Sequence, residues 1–145
     1  MIKYNLFLLI ASSLFLHATS CILTKYNVYI VSNLPPNSPP LQLHCSSKDD
    51  DLGYHTLAPG AEYQFSFCEN PLATMFSCRF LWNGNDKGFH VYDAKWDHNR
   101  CIGNRHGVCY YAVKPEGFFF TNKYPPKELE FLCGWDNNSN KYFVC

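Results

Sequence analysis

Alternation with a period of two constrains this chain more than any other feature. In Thr74–Trp82, the side chains of Phe76, Cys78, Phe80 and Trp82 recur at every second position. Residues i and i+2 share a face only in extended backbone, so this segment reads as a strand with one buried aromatic face. The pattern repeats along the chain. Val28 and Ile30 oppose Tyr29 and Val31; Leu41, Leu43 and Cys45 oppose Gln42 and His44; Tyr63, Phe65 and Phe67 oppose Glu62, Gln64 and Ser66. Further strands are expected at Gly53–Leu57, Phe89–Trp96, Val108–Val113, Gly117–Thr121 and Glu128–Trp135. In the last of these, Leu129, Phe131, Cys133 and Trp135 are expected to share a face. Turn chemistry separates the strands: a proline-rich connection at Asn33–Pro40, a turn at Pro59-Gly60 and a hairpin loop at Asn83–Gly88. No stretch after residue 20 carries a helical apolar stripe. About eight or nine short strands with turns between them imply an all-β fold, an antiparallel β-sandwich, with an up-and-down β-barrel as the alternative.

The N-terminus explains how so aromatic a chain is stabilised. Met1–Lys3 brings one positive charge, Leu6–Leu16 is an apolar run of 11 residues, and Ala18-Thr19-Ser20 supplies small residues for a cleavage site. The run is too short for a membrane helix, which takes about 20 apolar residues, and reads instead as a signal peptide over residues 1–20. Residues 21–145 are then a single exported domain in an oxidising compartment, where cysteines pair. Cleavage after Ser20 leaves all eight: Cys21, Cys45, Cys68, Cys78, Cys101, Cys109, Cys133 and Cys145. Eight cysteines allow 105 connectivities, and the sequence does not choose among them. Without Lys3 the chain carries 11 basic and 12 acidic residues, with no basic stripe, so capture of nucleic acid or of an anionic membrane is not expected. A monomer that is not inserted in a membrane is expected.

Several motifs in order resemble a known family. His44-Cys45-Ser46-Ser47-Lys48-Asp49-Asp50-Asp51-Leu52-Gly53 is followed by Leu57-x-Pro59-Gly60 and Tyr63-x-Phe65-Ser66-Phe67. Phe76-x-Cys78-x-Phe80-x-Trp82, Phe89-x-Val91-Tyr92, Arg100-Cys101 and Cys133-x-Trp135 continue the series. Together with Val28-x-Ile30-x-x-x-Leu34 they resemble the self-incompatibility S-protein homologues of plants, over nearly the whole exported part. Where that family usually shows Cys-x-Trp, this chain has Cys109-Tyr110-Tyr111. The resemblance implies a small secreted plant protein acting as a non-catalytic extracellular ligand for a cell-surface receptor, the founding role being rejection of self pollen. It also implies that Cys45, Cys78, Cys109 and Cys133 form a core set that pairs internally. Cys21, Cys68, Cys101 and Cys145 are additional cysteines whose pairing it leaves open. A secreted defence or carbohydrate-binding protein is the alternative function.

Sites of catalysis are not legible in the chain: no nucleophile elbow, phosphate-binding glycine loop or zinc-protease helix occurs, and no cofactor is expected. Asp49-Asp50-Asp51 could ligate Ca²⁺, but adjacent aspartates on an extended chain diverge, and a capped turn is the better reading. Cys101-x4-His106-x2-Cys109 has zinc-like spacing, yet exported thiols are expected to oxidise. His44 and Cys45 point to opposite sides of their strand, against a Cys–His nucleophilic pair. Stacking on a glycan would fall to Trp96 or the Phe118-Phe119-Phe120 run. Asn137-Asn138-Ser139 is an N-glycosylation acceptor at Asn137. Receptor contacts are expected on a loop, at Asn83–Gly88, Asp97–Gly107 or Asp136–Lys141. The middle loop is favoured, with Asn104, Arg105 and His106 as contacts.

Overall fold

The computed structural model describes residues 21–98, 100–102, 106–135 and 145. The expected signal peptide therefore lies outside the described residues, as do Asn104, Arg105 and the Asn137 acceptor.

Nine strands follow one another: β1 (Lys25–Ser32), β2 (Leu41–Ser46), β3 (Asp51–Leu57), β4 (Glu62–Cys68), β5 (Met75–Trp82), β6 (Asn85–Asp93), β7 (His106–Lys114), β8 (Gly117–Thr121) and β9 (Glu130–Cys133). They form a five-stranded sheet in the order β4-β1-β7-β8-β9 and a four-stranded sheet in the order β3-β2-β5-β6. The architecture is a sandwich, and the alternative of a closed barrel is set aside because the strands divide into two separate sheets. Neighbours run antiparallel except β1 and β7, which are parallel with Lys25 opposite His106 and Ser32 opposite Val113.

Alternation places the core. Val28 and Ile30 of β1 enter the main cluster with Leu41, Leu43 and Cys45 of β2, Phe76, Cys78, Phe80 and Trp82 of β5, and Cys109 and Tyr111 of β7. Tyr63, Phe65 and Phe67 pack against its margin. Phe118 meets Phe80 and Phe89 with ring centroids 5.0 Å away, so aromatic contacts run directly between the sheets. Burial of such a ring is worth about 1.5–3 kcal/mol, and many rings contribute here. The buried Tyr111 hydroxyl of β7 donates to the Val91 carbonyl of β6 at 2.7 Å, a polar fastening across the core.

Two local readings are corrected. Asn83–Gly88 is not a six-residue loop, because β6 begins at Asn85 and pairs with Trp82. The turn is Asn83-Gly84 alone, with φ of 48° and 81°. Positive φ at both positions matches the twist of a tight two-residue hairpin, for which Asn-Gly is the preferred pair. The face expected for Glu128–Trp135 is also divided. A register shift between Phe118 and Phe119 interrupts the pairing of β8 with β9. Cys133 and Trp135 consequently pack on the main core, whereas Leu129 lies against an outer cluster and Phe131 is 59% exposed.

Candidate functional site

All eight cysteines are paired: Cys21–Cys68, Cys45–Cys78, Cys101–Cys109 and Cys133–Cys145. Only Cys45 and Cys78 of the four-cysteine set pair with each other, so the expectation that this set pairs internally is corrected. Cys45 and Cys78 are direct cross-strand partners on the inner face of β2 and β5. Cys109 and Cys133, by contrast, lie on β7 and β9 with β8 between them. Two strand spacings of about 4.8 Å exceed the reach of a disulfide, whose Cα atoms lie within about 7 Å. Cys109 takes Cys101 from the preceding loop instead, and the half-buried Cys133 takes Cys145.

The Cys101–Cys109 bridge organises the connection between β6 and β7. Cys101 is fully buried, and its carbonyl accepts the Val108 amide at 3.0 Å. The Arg100 guanidinium lies 4.2 Å from the centroid of Trp96, which itself contacts Tyr92. Gly107 is required beside this anchor, since a Cβ there would overlap the Tyr26 ring. His106, expected in the loop, is the exposed first residue of β7. A zinc site at Cys101, His106 and Cys109 is replaced by the disulfide. Trp96 is half-buried beneath Arg100, Phe118 and Phe120 are buried, and Phe119 is half-buried against Phe131 and beneath Lys114, so the aromatics expected to stack on a glycan are engaged in packing.

The Asp49-Asp50-Asp51 run leaves a bend at Lys48-Asp49 and enters β3 at Asp51. The Ser47 amide donates to the Asp50 carbonyl at 2.8 Å, and the Asp50 amide donates to the Ser47 hydroxyl at 3.1 Å. Asp51 Oδ1 accepts from the Gly53 amide at 2.9 Å and lies 2.6 Å from His44 Nε2. The Gly53 amide, and then His44, hold the Asp51 carboxyl below the usual aspartate range. Among the described residues no cluster of three or more His, Cys, Asp or Glu side chains is placed to hold a metal ion.

A second surface was missed from sequence: the outer face of the four-stranded sheet. His44 of β2 stands opposite Tyr54 of β3 on one side and Arg79 of β5 on the other. Gln42 stands likewise between Thr56 and Leu81, and Leu81 in turn faces Asp86 of β6. The Tyr54 ring stacks on His44 with centroids 4.3 Å apart and 16° between planes, yet Tyr54 is 82% exposed. Arg79 engages Asp86 through both Nε and Nη2, which holds the Asp86 carboxyl below its usual range. Gly88, opposite Arg79, adds no side chain to this face. The result is a trough of three adjoining hollows of about 240, 340 and 420 Å³. Arg79 and His44 line both of the first two, Gln42 and Leu81 line the first and third, and Asp86 lines the second and third. Alternation marks these residues as outward-facing, but only strand register brings them together.

Sequence and structure comparisons place this geometry in a family. Residues 27–135 match the family described as plant self-incompatibility protein S1. S-protein homolog 4 of Arabidopsis thaliana is 33% identical over 121 residues, covering 81% of this chain and 76% of that protein. S-protein homolog 5 of the same plant is 41% identical over 80 residues, 54% of this chain, which spans 59% of that relative's length. Among solved structures, the fold is similar to that of SPH (self-incompatibility protein homologue) proteins, described as a widespread family of small, highly stable, secreted proteins from plants. The match has a TM-score of 0.56 at 17% identity and covers 74% of this chain and 92% of the other. The chain belongs to the plant self-incompatibility protein S1 family.

Proposed function

We propose that this protein is a secreted, non-catalytic extracellular ligand that acts as a monomer on a protein receptor at a plant cell surface. The observation that carries the reading is the β6–β7 connection, a polar segment clamped at its base by Cys101–Cys109 and by Arg100 over Trp96. A loop held in this way loses less conformational freedom on binding than an untethered one, which favours its use in recognition. Asn104, Arg105 and His106 are the proposed contacts. Export fits the family's description and the pairing of Cys21 with Cys68, since cleavage after Ser20 retains Cys21 and leaves no odd thiol. Asn137 is the proposed glycan acceptor.

The test is saturable binding of the purified, disulfide-intact protein to plant cells. Protease treatment of the cells is expected to abolish it. Replacing Asn104, Arg105 and His106 together with alanine is expected to weaken it at least about tenfold, a loss of roughly 1.4 kcal/mol. Binding that survives protease, or that is unchanged in the folded triple variant, rejects this reading.

A further inference from the structure

We propose that the trough across the outer face of the four-stranded sheet binds an uncharged oligosaccharide, with one pyranose ring stacked on the open side of Tyr54. One side of the Tyr54 ring rests on His44, which fixes its plane, and the residue is otherwise open to solvent. A pyranose offers the matching chemistry: an apolar C–H face for the ring and a rim of hydroxyls that both donate and accept. The rim of the trough supplies partners of both kinds. Gln42 carries an amide with both functions, Arg79 a planar donor fork and Asp86 an acceptor pair.

Charge selects an uncharged ligand. Arg79 and Asp86 already satisfy each other, and His44 is engaged by Asp51. A uronate would have to draw Arg79 from Asp86 and leave that carboxylate unpaired. A neutral hydroxyl can share both groups without separating them. Extent favours a chain over a single ring, because three hollows adjoin along the face and share lining residues. A protein partner fits this surface less well, since interface cores are apolar and depleted of charge, whereas the centre of this trough is an ion pair. Tyr54 and Leu81 are the large apolar side chains exposed on it among the described residues.

The experiment is calorimetric titration of the disulfide-intact protein with gluco-, xylo-, manno- and galacto-oligosaccharides of four to six units, and with oligogalacturonides as the anionic probe. At least one neutral series is expected to bind. Tyr54→Ala should weaken it at least about tenfold, and Tyr54→Phe should retain it. Tyr54 is exposed, so the alanine variant is expected to fold; Gln42→Ala provides a second exposed substitution that should also reduce affinity. The proposal is overturned if no neutral series binds at millimolar concentration, if the affinity ignores Tyr54→Ala, or if oligogalacturonides are preferred. No cell or receptor enters the assay, so its outcome is independent of the receptor reading.

Discussion

The two outer faces of this sandwich are built from strands of the same alternating kind, one set in each sheet, and are used in opposite ways. On the five-stranded sheet, Tyr29 and Val31 of β1 and Tyr110 and Ala112 of β7 form a second buried cluster, with Val108, Phe119 and Leu129 at its edge. Tyr124, from the connection between β8 and β9, stacks on Tyr29 at 4.1 Å with an angle of 12°. The Lys114 ammonium lies 4.4 Å from the centroid of Phe119. On the four-stranded sheet, the corresponding positions are Gln42, His44, Arg79 and Asp86, and they remain accessible around an open tyrosine. One face has become a second core, whereas the other has kept its hydrogen-bonding groups in a fixed array. An exposed aromatic therefore has a different meaning on each side.

Truncation of one tyrosine on each face gives the largest expected contrast. Tyr29 is 9% exposed and packs on both Tyr110 and Tyr124. Tyr29→Ala should cost about 3 kcal/mol in denaturant unfolding, as expected for loss of a large buried ring. Tyr54→Ala should change stability by no more than about 0.5 kcal/mol, the usual range for an exposed site. Comparable losses at the two positions would show that the open face is structural as well, and would break the comparison.

The covered face is legible in the sequence only in part, and the assembly of the open one is not. Tyr29 and Val31 stand out in sequence because they are apolar on both sides of the Val28–Ile30 alternation, the mark of a strand buried on both faces. The inner faces of β2, β4 and β5 were equally legible from Leu43, Phe65 and Phe80. The trough depends on where His44 meets Tyr54 and Arg79, and register between strands is set by packing across the whole sheet. The parallel pairing of Lys25 with His106 has no local signal for the same reason. Asn83-Gly84 did carry a local signal. The polar residues Asn85 and Asp86 disguised it as part of a longer loop, although their backbone pairs with Trp82 and Leu81. Leu129 and Phe131 leave the face that strict alternation predicts for them because one irregularity in the pairing with β8 reverses that alternation.

Alkaline titration sharpens the contrast with a smaller effect. Desolvation is the main cause that raises the Tyr29 and Tyr110 hydroxyls above the usual tyrosine range, and Tyr124 and Glu62 add to it. A folded-state pKa above the unfolded value means that this stabilisation is complete below about pH 10. It is lost as pH rises from there through the folded values, because the unfolded chain releases its protons first. Stability should accordingly decline above pH 10, with phenolate absorbance showing late ionisation in the folded protein. Burial also raises the hydroxyls of Tyr92 and Tyr111 in the main core, so Tyr29→Phe with Tyr110→Phe should make that decline shallower without removing it. An unaltered slope would mean that the outer cluster contributes nothing to the alkaline sensitivity.

The smallest expected effect belongs to the ion pair at the centre of the trough. Arg79 and Asp86 are in bidentate contact, but their side chains retain 62% and 35% exposure, so water screens most of the attraction. A double-mutant cycle with Arg79→Ala and Asp86→Ala should give a coupling of only about 0.5 kcal/mol, diminishing further with added salt. The Asp86 carboxyl is held low by Arg79, so this small contribution is present above the ordinary aspartate pKa and disappears as pH falls through the folded value beneath it. On a face that serves binding, the pair fixes the direction of its donors and acceptors at little thermodynamic consequence to the fold. A salt-insensitive coupling of about 2 kcal/mol or more would instead mark a pair that stabilises the sheet, and the two faces would differ in polarity alone.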